Sequence, residues 1–376
     1  MNRKKIAVNT RFLLKNKLEG IGWFSYETLK RMVIAHPEFD FYFIFDRPYD
    51  ESFIFSKNVF PIVIGPPARH PFLWYIWFEF SMTKCLKEIQ PDLFFSPDGY
   101  LSLRAKCPQH IVIHDLAFEH YPLFVPFWAR KFYQYFTPKY ASKARRIATV
   151  SNYTKRDISA LYGVDLSKID VVFNGANELY RPLNETEREK TKCEFSDGKK
   201  YFIFNGAIHP RKNLKNVFLA FDLYKAKWGS DCKLIVAGRK AWHFTDIFET
   251  YESMHYKGDV VFTGHVSQDI LYRLMASAEA LLYVSIFEGF GIPIIEAMQC
   301  GTPVISSNTT ATAETSGEAA IKVSPEDIDF IAQAMHSLIE NPAMRKEYIQ
   351  KGLEHAKNYS WDITASKLWD SINKCL

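Results

Sequence analysis

No two of the six cysteines, at positions 85, 107, 193, 232, 300 and 375, stand as a CxxC pair, and none has a histidine at zinc-ligand spacing. A disulfide framework and a structural zinc site are thereby excluded, and the thiols read as reduced. No uncharged apolar run approaches the roughly 20 residues that cross a bilayer. The start of the chain, 1–10, has basic residues but only a short apolar run after them, so a secretory leader is not expected either. The expected location is cytoplasmic, for a soluble or monotopic protein. Charge is scarce as a signal too: the net value is +5 over 376 residues. So small an excess gives no reason to expect nucleic acid as a partner, although an anionic small ligand or an anionic membrane surface would suit it. Repeats of solenoid period and low-complexity tracts are absent.

Short apolar runs alternate with helix-like stretches throughout. Runs at 6–9, 41–45, 62–64, 93–95, 111–113, 147–150 and 171–173 fill the first half, and 201–204, 234–237, 260–263, 280–284, 303–306 and 320–323 the second. Continuous rather than alternating apolar character suits strands covered on both faces, which predicts two parallel, doubly wound α/β sheets. The length also favours two domains. Leu214, Val217, Phe218 and Phe221 have helical spacing, as do Ile270, Leu271, Leu274 and Met275 behind a capping Ser267. The polar stretch 180–200, with Pro182 and Gly198, reads as the interdomain linker and the entry to the second domain.

Ligands of open α/β sheets bind beyond the carboxyl ends of the strands. After the run 280–284 comes Phe287-Glu288-Gly289-Phe290-Gly291-Ile292-Pro293-Ile294-Ile295-Glu296-Ala297-Met298. Pro293 fits a first helical turn and Gly301 the residue after the last. Strand, glycine loop and helix start together offer unpaired N–H groups and a positive dipole end to a phosphate. Glu288 and Glu296 bracket the loop, and carboxylates are good partners for vicinal hydroxyls. The pattern matches a sugar–diphosphate–ribose ligand; the alternative is a plain glycine loop with Glu296 as a first-turn acid favoured by the dipole.

The stretch EGFGIPIIEAMQCGTPVISS resembles the E-x7-E signature of retaining glycosyltransferases of family 4, the glycosyl transferases group 1, which have the GT-B fold: two Rossmann-like domains facing across a cleft. The resemblance implies that Glu288 contacts sugar hydroxyls and Glu296 the ribose, and that the backbone from Gly289 and Phe290 to Gly291 and Ile292 meets the diphosphate. Asn205-Gly206-Ala207-Ile208-His209-Pro210-Arg211-Lys212-Asn213 is similar to the family segment whose cations neutralise that diphosphate. Many members carry Arg directly after the glycine; here Ala207 stands there, and Arg211 beside Lys212 instead. Two solvated cations opening a helix are the bland alternative, which the helix dipole disfavours without an anion. Leu18-Glu19-Gly20-Ile21-Gly22-Trp23 resembles the glycine loop that closes on the phosphate from the acceptor side, with Gly22 as a simple helix-start glycine the other reading. His114 of the His114-Asp115 pair would lie close to the sugar ring. Backbone near Gly238 and Val266 would select the base.

By this resemblance the domains are 1–180 plus 359–376, which binds the acceptor, and 181–358, which binds the nucleotide sugar. Ser151 is read as a helix cap, Asn174-Gly175 as a turn and Glu314 as structural. Tyr359-Ser360-Trp361-Asp362 would open a last helix that packs on the first domain. The implied activity is transfer of a hexose, mannose- or glucose-type, from a UDP- or GDP-linked donor to a growing polysaccharide or lipid-linked glycan. The PRKN form leans toward mannose. No DxD-like metal clamp is read, so neither a metal nor a cofactor is expected. A nucleotide-sugar epimerase and a non-catalytic sugar-nucleotide-binding module are the competing readings. Segments 69–80 and 122–146 are both aromatic and basic. They read either as helix core with acceptor-pocket lining or as a surface docking on the inner membrane leaflet.

Overall fold

The computed structural model describes residues 3–15, 17–239 and 245–376. The chain divides into two compact units, Met1–Gly175 with Trp361–Leu376, and Ala176–Ser360.

The first unit holds β1 (Lys5–Asn9), β2 (Asp40–Phe45), β3 (Val59–Val63), β4 (Leu93–Ser96), β5 (Gln109–Ile113), β6 (Arg146–Thr149) and β7 (Ile169–Val171), in the order β3-β2-β1-β4-β5-β6-β7. Every pairing is parallel. Strands β4 and β5 are buried along their whole length, which is why they lack polar alternation. Two of the expected runs are displaced. Strand β3 begins at Val59 rather than at 62, because Pro61 opposite Phe43 is tolerated on an edge strand that needs no further donor on its open side. Strand β7 ends at Val171, and Phe173 turns the chain away with φ +57°.

The last helix, Trp361–Asn373, belongs to this first unit. It lies on the helix Gly20–Ala35, with Trp361 edge-on to Phe24 and Trp369 stacked 3.7 Å from His36. The aromatic surplus is largely spent here. Trp74 meets Phe132 and Tyr133, Tyr100 stacks on Phe78, and Phe132, Phe136 and Tyr140 stack along the helix Phe127–Lys143.

The second unit holds β8 (Tyr201–Asn205), β9 (Lys233–Ala237), β10 (Val260–Gly264), β11 (Ala280–Tyr283), β12 (Val304–Ser307) and β13 (Ile321–Val323), all parallel, in the order β10-β9-β8-β11-β12-β13. Each sheet therefore reverses its winding once, between β1 and β4 and between β8 and β11. The helix Leu214–Trp228 buries Val217, Phe218 and Phe221 against Phe204, Leu234 and Val236. Ser267 caps the helix Gln268–Ser277 by accepting from Ile270 N–H. The stretch read as a linker is mostly the helix Glu185–Ser196, opened by a reciprocal capping box between Asn184 and Glu187. Polar composition hid it: a helix packed along one side needs few apolar residues once its end is capped.

Candidate functional site

The carboxyl ends of β8 and β11 lie side by side at the winding reversal of the second sheet, the position where such sheets bind ligands. Gly206 follows β8, and the backbone there leaves no room for a side chain on the neighbouring loop. A Cβ on Gly238 would sit 1.8 Å from the Gly206 carbonyl oxygen. The next residues form one short 3-10 turn, Pro210–Lys212, begun by Pro210 and capped by the His209 ring accepting from Arg211 N–H. Asn213 closes it in the left-handed region and donates through Nδ2 to the carbonyls of Val284 and Pro325. The turn is thus tied to the end of β11, and Arg211 and Lys212 are aimed rather than solvated.

Both cations converge on Glu288. Arg211 Nη1 lies 3.0 Å from Oε2, and Lys212 Nζ 2.6 Å from Oε1. Arg211 also donates to the Phe287 carbonyl, and Lys212 to the hydroxyl of Tyr283 at 2.8 Å. Burial alone would raise the Glu288 pKa, but the two cations outweigh it and bring it down to about 2. Burial holds the Tyr283 phenol far above its usual range, so it stays neutral. Two cations thus face one carboxylate in this cluster.

The Tyr283 ring links this cluster to the next helix. Gly291, at φ +103°, packs over it; a Cβ there would lie 3.2 Å from the ring and 3.1 Å from Ile294. Gly291 is the N-cap of the helix Ile292–Gln299, with Pro293 in its first turn. Gly289 and Phe290 are buried in the loop just before it. The first N–H groups of that helix have no intrahelical carbonyl to meet and add positive potential. Glu296, on the same helix, is part-buried, and among the described residues its carboxyl has no hydrogen-bond or ion-pair partner. Burial pushes its pKa up to about 8.

The remaining expected site residues are placed as follows. Val266, half-buried, lies in the loop after β10. In the first unit, Gly22 lies inside the helix Gly20–Ala35, where a Cβ would meet the Phe12 carbonyl oxygen at 3.1 Å and the Leu18 side chain at 3.2 Å. Close approach of its own chain therefore requires glycine there. His114 follows β5; its Nε2 donates to the Pro97 carbonyl at 2.8 Å, and burial lowers its pKa, so the ring is neutral with its lone pair on Nδ1. Ser151 caps the helix Asn152–Tyr162. Sequence reasoning missed the roles of Tyr283 and Asn213 in holding Lys212. It also passed over Asp327-Ile328-Asp329, which has DxD spacing; there Asp327 is the N-cap of the helix Ile328–Glu340, and both acids are exposed.

Comparison with known proteins identifies the family. The family model for glycosyltransferase family 4 matches residues 20–178, and that for glycosyl transferases group 1 matches residues 185–355. The chain belongs to the family 4 glycosyltransferases. This glycosyltransferase is 26% identical over 363 residues to the O-antigen chain mannosyltransferase B of Escherichia coli, covering 93% of this chain and 94% of that one. It is 27% identical over 319 residues to the O-antigen chain mannosyltransferase RfbU of Salmonella typhimurium, covering 84% of each. Among solved structures, Anabaena HepE in complex with UDP and glucose superimposes with a TM-score of 0.76 at 15% identity, over 99% of this chain and all of that one. WaaG, a glycosyltransferase involved in lipopolysaccharide biosynthesis, does so with a TM-score of 0.73 at 14% identity, over 97% and 98%. The likeness to these structures is one of fold: the GT-B arrangement of two Rossmann-like halves.

Proposed function

We propose that this glycosyltransferase moves a hexose, mannose-type by preference, from a nucleoside-diphosphate donor to a growing surface polysaccharide or lipid-linked glycan, with retention of anomeric configuration. The observation that carries the reading is the convergence of Arg211 and Lys212 on Glu288 beside the start of the helix Ile292–Gln299. The O-antigen mannosyltransferases among the relatives support the sugar and the glycan acceptor. The UDP held by HepE supports a nucleotide-sugar donor.

In this reading the bond from sugar C1 to the phosphate oxygen breaks, and its electron pair leaves with the diphosphate. Arg211, Lys212 and the helix start meet that charge where it develops. The acceptor hydroxyl oxygen attacks C1 on the same face, and its proton goes to the departing phosphate. Glu288 stays ionised throughout and orients sugar hydroxyls; Glu296 takes the ribose. No metal is assigned a role, because the two cations already answer the charge.

The test is product analysis with GDP-mannose, UDP-glucose and a lipid-linked acceptor, with the anomeric centre read by NMR. Transfer with retention, undiminished by EDTA, is the expected result. Inversion, an isomerised donor, or binding without turnover would each overturn the reading.

A further inference from the structure

The stretch 121–156 carries eight Lys and Arg and no Asp or Glu. At its centre is the helix Phe127–Lys143, and only part of that helix's aromatic surface is used in packing. Phe132 and Tyr140 are buried, and Tyr133 and Phe136 are packed against them in the core of the first unit. The opposite face is open. Phe127 is 52% exposed, Trp128 68% and Tyr135 58%, and Leu123, on the turn just before the helix, 78%. These are single large apolar groups on the outside of a domain that has an ample core elsewhere.

Their arrangement is regular. Trp128, Lys131, Tyr135 and Lys139 recur three or four residues apart and so form one stripe, aromatic and cationic by turns. Lys139 Nζ lies 3.3 Å from the centroid of the Tyr135 ring, and Arg130 and Lys131 flank Phe127. The first charged residues of the helix are cations, and its first turn has no acid. Every charged residue of the helix is a cation.

We propose that this face docks on an anionic lipid bilayer. Leu123, Phe127 and Trp128 would enter the headgroup–acyl boundary, Tyr135 would lie at its level, and Arg130, Lys131 and Lys139 would meet the lipid phosphates. Several features favour a bilayer over a protein. The exposed apolar side chains stand on one helix and the turn before it, and Phe127 and Tyr135 are attended by long cations that can follow a phosphate, as on interfacial helices. The whole stretch is also free of acids that would repel an anionic surface. The proposal is independent of the transfer chemistry, since none of these residues belongs to the site in the second unit.

Co-sedimentation of the full chain with phosphatidylcholine vesicles, with and without phosphatidylglycerol, tests it. Binding is expected to vesicles containing phosphatidylglycerol alone, to weaken at high salt, and to fall at least ~10-fold in the double variant Lys131→Glu/Lys139→Glu. Trp128→Ser should weaken it as well and remove the quenching by brominated lipid that Trp128 contributes. Leu123→Ser repeats the test from outside the helix. All these side chains are exposed, so melting temperatures should stay unchanged, and so should turnover on a water-soluble acceptor. No binding to phosphatidylglycerol vesicles, or equal binding by the variants, would overturn the proposal. So would a concentration-dependent dimer, seen by ultracentrifugation without vesicles and lost in Trp128→Ser, which would give the face to a second copy.

Discussion

Lys212 Nζ lies 2.6 Å from Glu288 Oε1, so the cation assigned to the donor diphosphate already has an anionic partner inside the protein. Arg211 is held by the other oxygen of the same carboxylate. A diphosphate must compete with Glu288 for both. Glu288→Gln should therefore bind UDP or GDP several-fold more tightly than the native protein while transferring sugar far more slowly. Lys212→Ala should lose both, with kcat down by about 100- to 1000-fold, as when one preorganised group facing developing charge is removed. Calorimetric titration with each nucleotide, set beside turnover numbers, checks the split. Weaker nucleotide binding by the Gln variant would show that Glu288 does not compete with the diphosphate.

Tyr283 accepts from Lys212, is hydrogen-bonded to Glu288, and packs beneath Gly291. It touches no reacting atom and acts by holding Lys212 in place. Tyr283→Phe keeps the ring that Gly291 needs and removes only the hydroxyl. The expected outcome is an unchanged melting temperature with kcat reduced about 3- to 10-fold, on the scale of one hydrogen bond. Tyr283→Ala should in addition destabilise the protein, because the large buried ring would leave a cavity. Steady-state kinetics beside thermal melts separates the two effects.

How far such a site can be read in advance depends on which physical signal each residue carries. The thirteen strands among the described residues each lie on or beside an expected apolar run, because burial on both faces forbids polar alternation. Glu288, Arg211 and Lys212 were legible because charged residues just after buried strands have few structural reasons to be there. Tyr283 was not: a tyrosine at the end of an apolar run has the composition of core, and its hydroxyl partner is 71 residues away. Asn213 was read only as part of a motif, since its left-handed backbone and its bonds to Val284 and Pro325 exist only in the folded chain. The helix Glu185–Ser196 was taken for a linker because its stability comes from capping rather than from an apolar face.

The C-terminal helix is fastened by a buried relay. His110 Nε2 donates to Ser371 Oγ at 2.8 Å, and Ser371 donates to Asp170 at 2.7 Å, which also receives Arg146 and Lys374. Burial pushes the His110 pKa down to about 3, so the ring is neutral and needs Ser371 as acceptor. Ser371→Ala leaves the His110 N–H without its partner and Asp170 short of one donor. A loss of about 1–3 kcal/mol in unfolding free energy is expected. Ser371→Thr, which keeps the hydroxyl, should recover part of it in denaturant titrations.

Glu296 gives the proposed donor site a pH dependence whose sign can be worked out. Its pKa is raised from 4.5 to about 8 by burial. Between those values the folded protein holds a proton that the unfolded chain has released. Unfolding then releases a proton, and stability falls as pH rises from about 4.5 to about 8, with no contribution to the slope outside that window. Ribose hydroxyls, by contrast, are best received by the ionised carboxylate, so nucleotide affinity should rise toward pH 8 and then level off. Native protein should therefore melt lower and bind GDP or UDP more tightly at pH 8 than at pH 6.5. Glu296→Gln should lack both slopes, and the comparison cancels the titration of the nucleotide's own phosphate. Melting curves and calorimetric titrations across pH 5–9 decide the matter: parallel profiles for the native and Gln proteins would mean that this carboxyl neither titrates in the window nor meets the ribose.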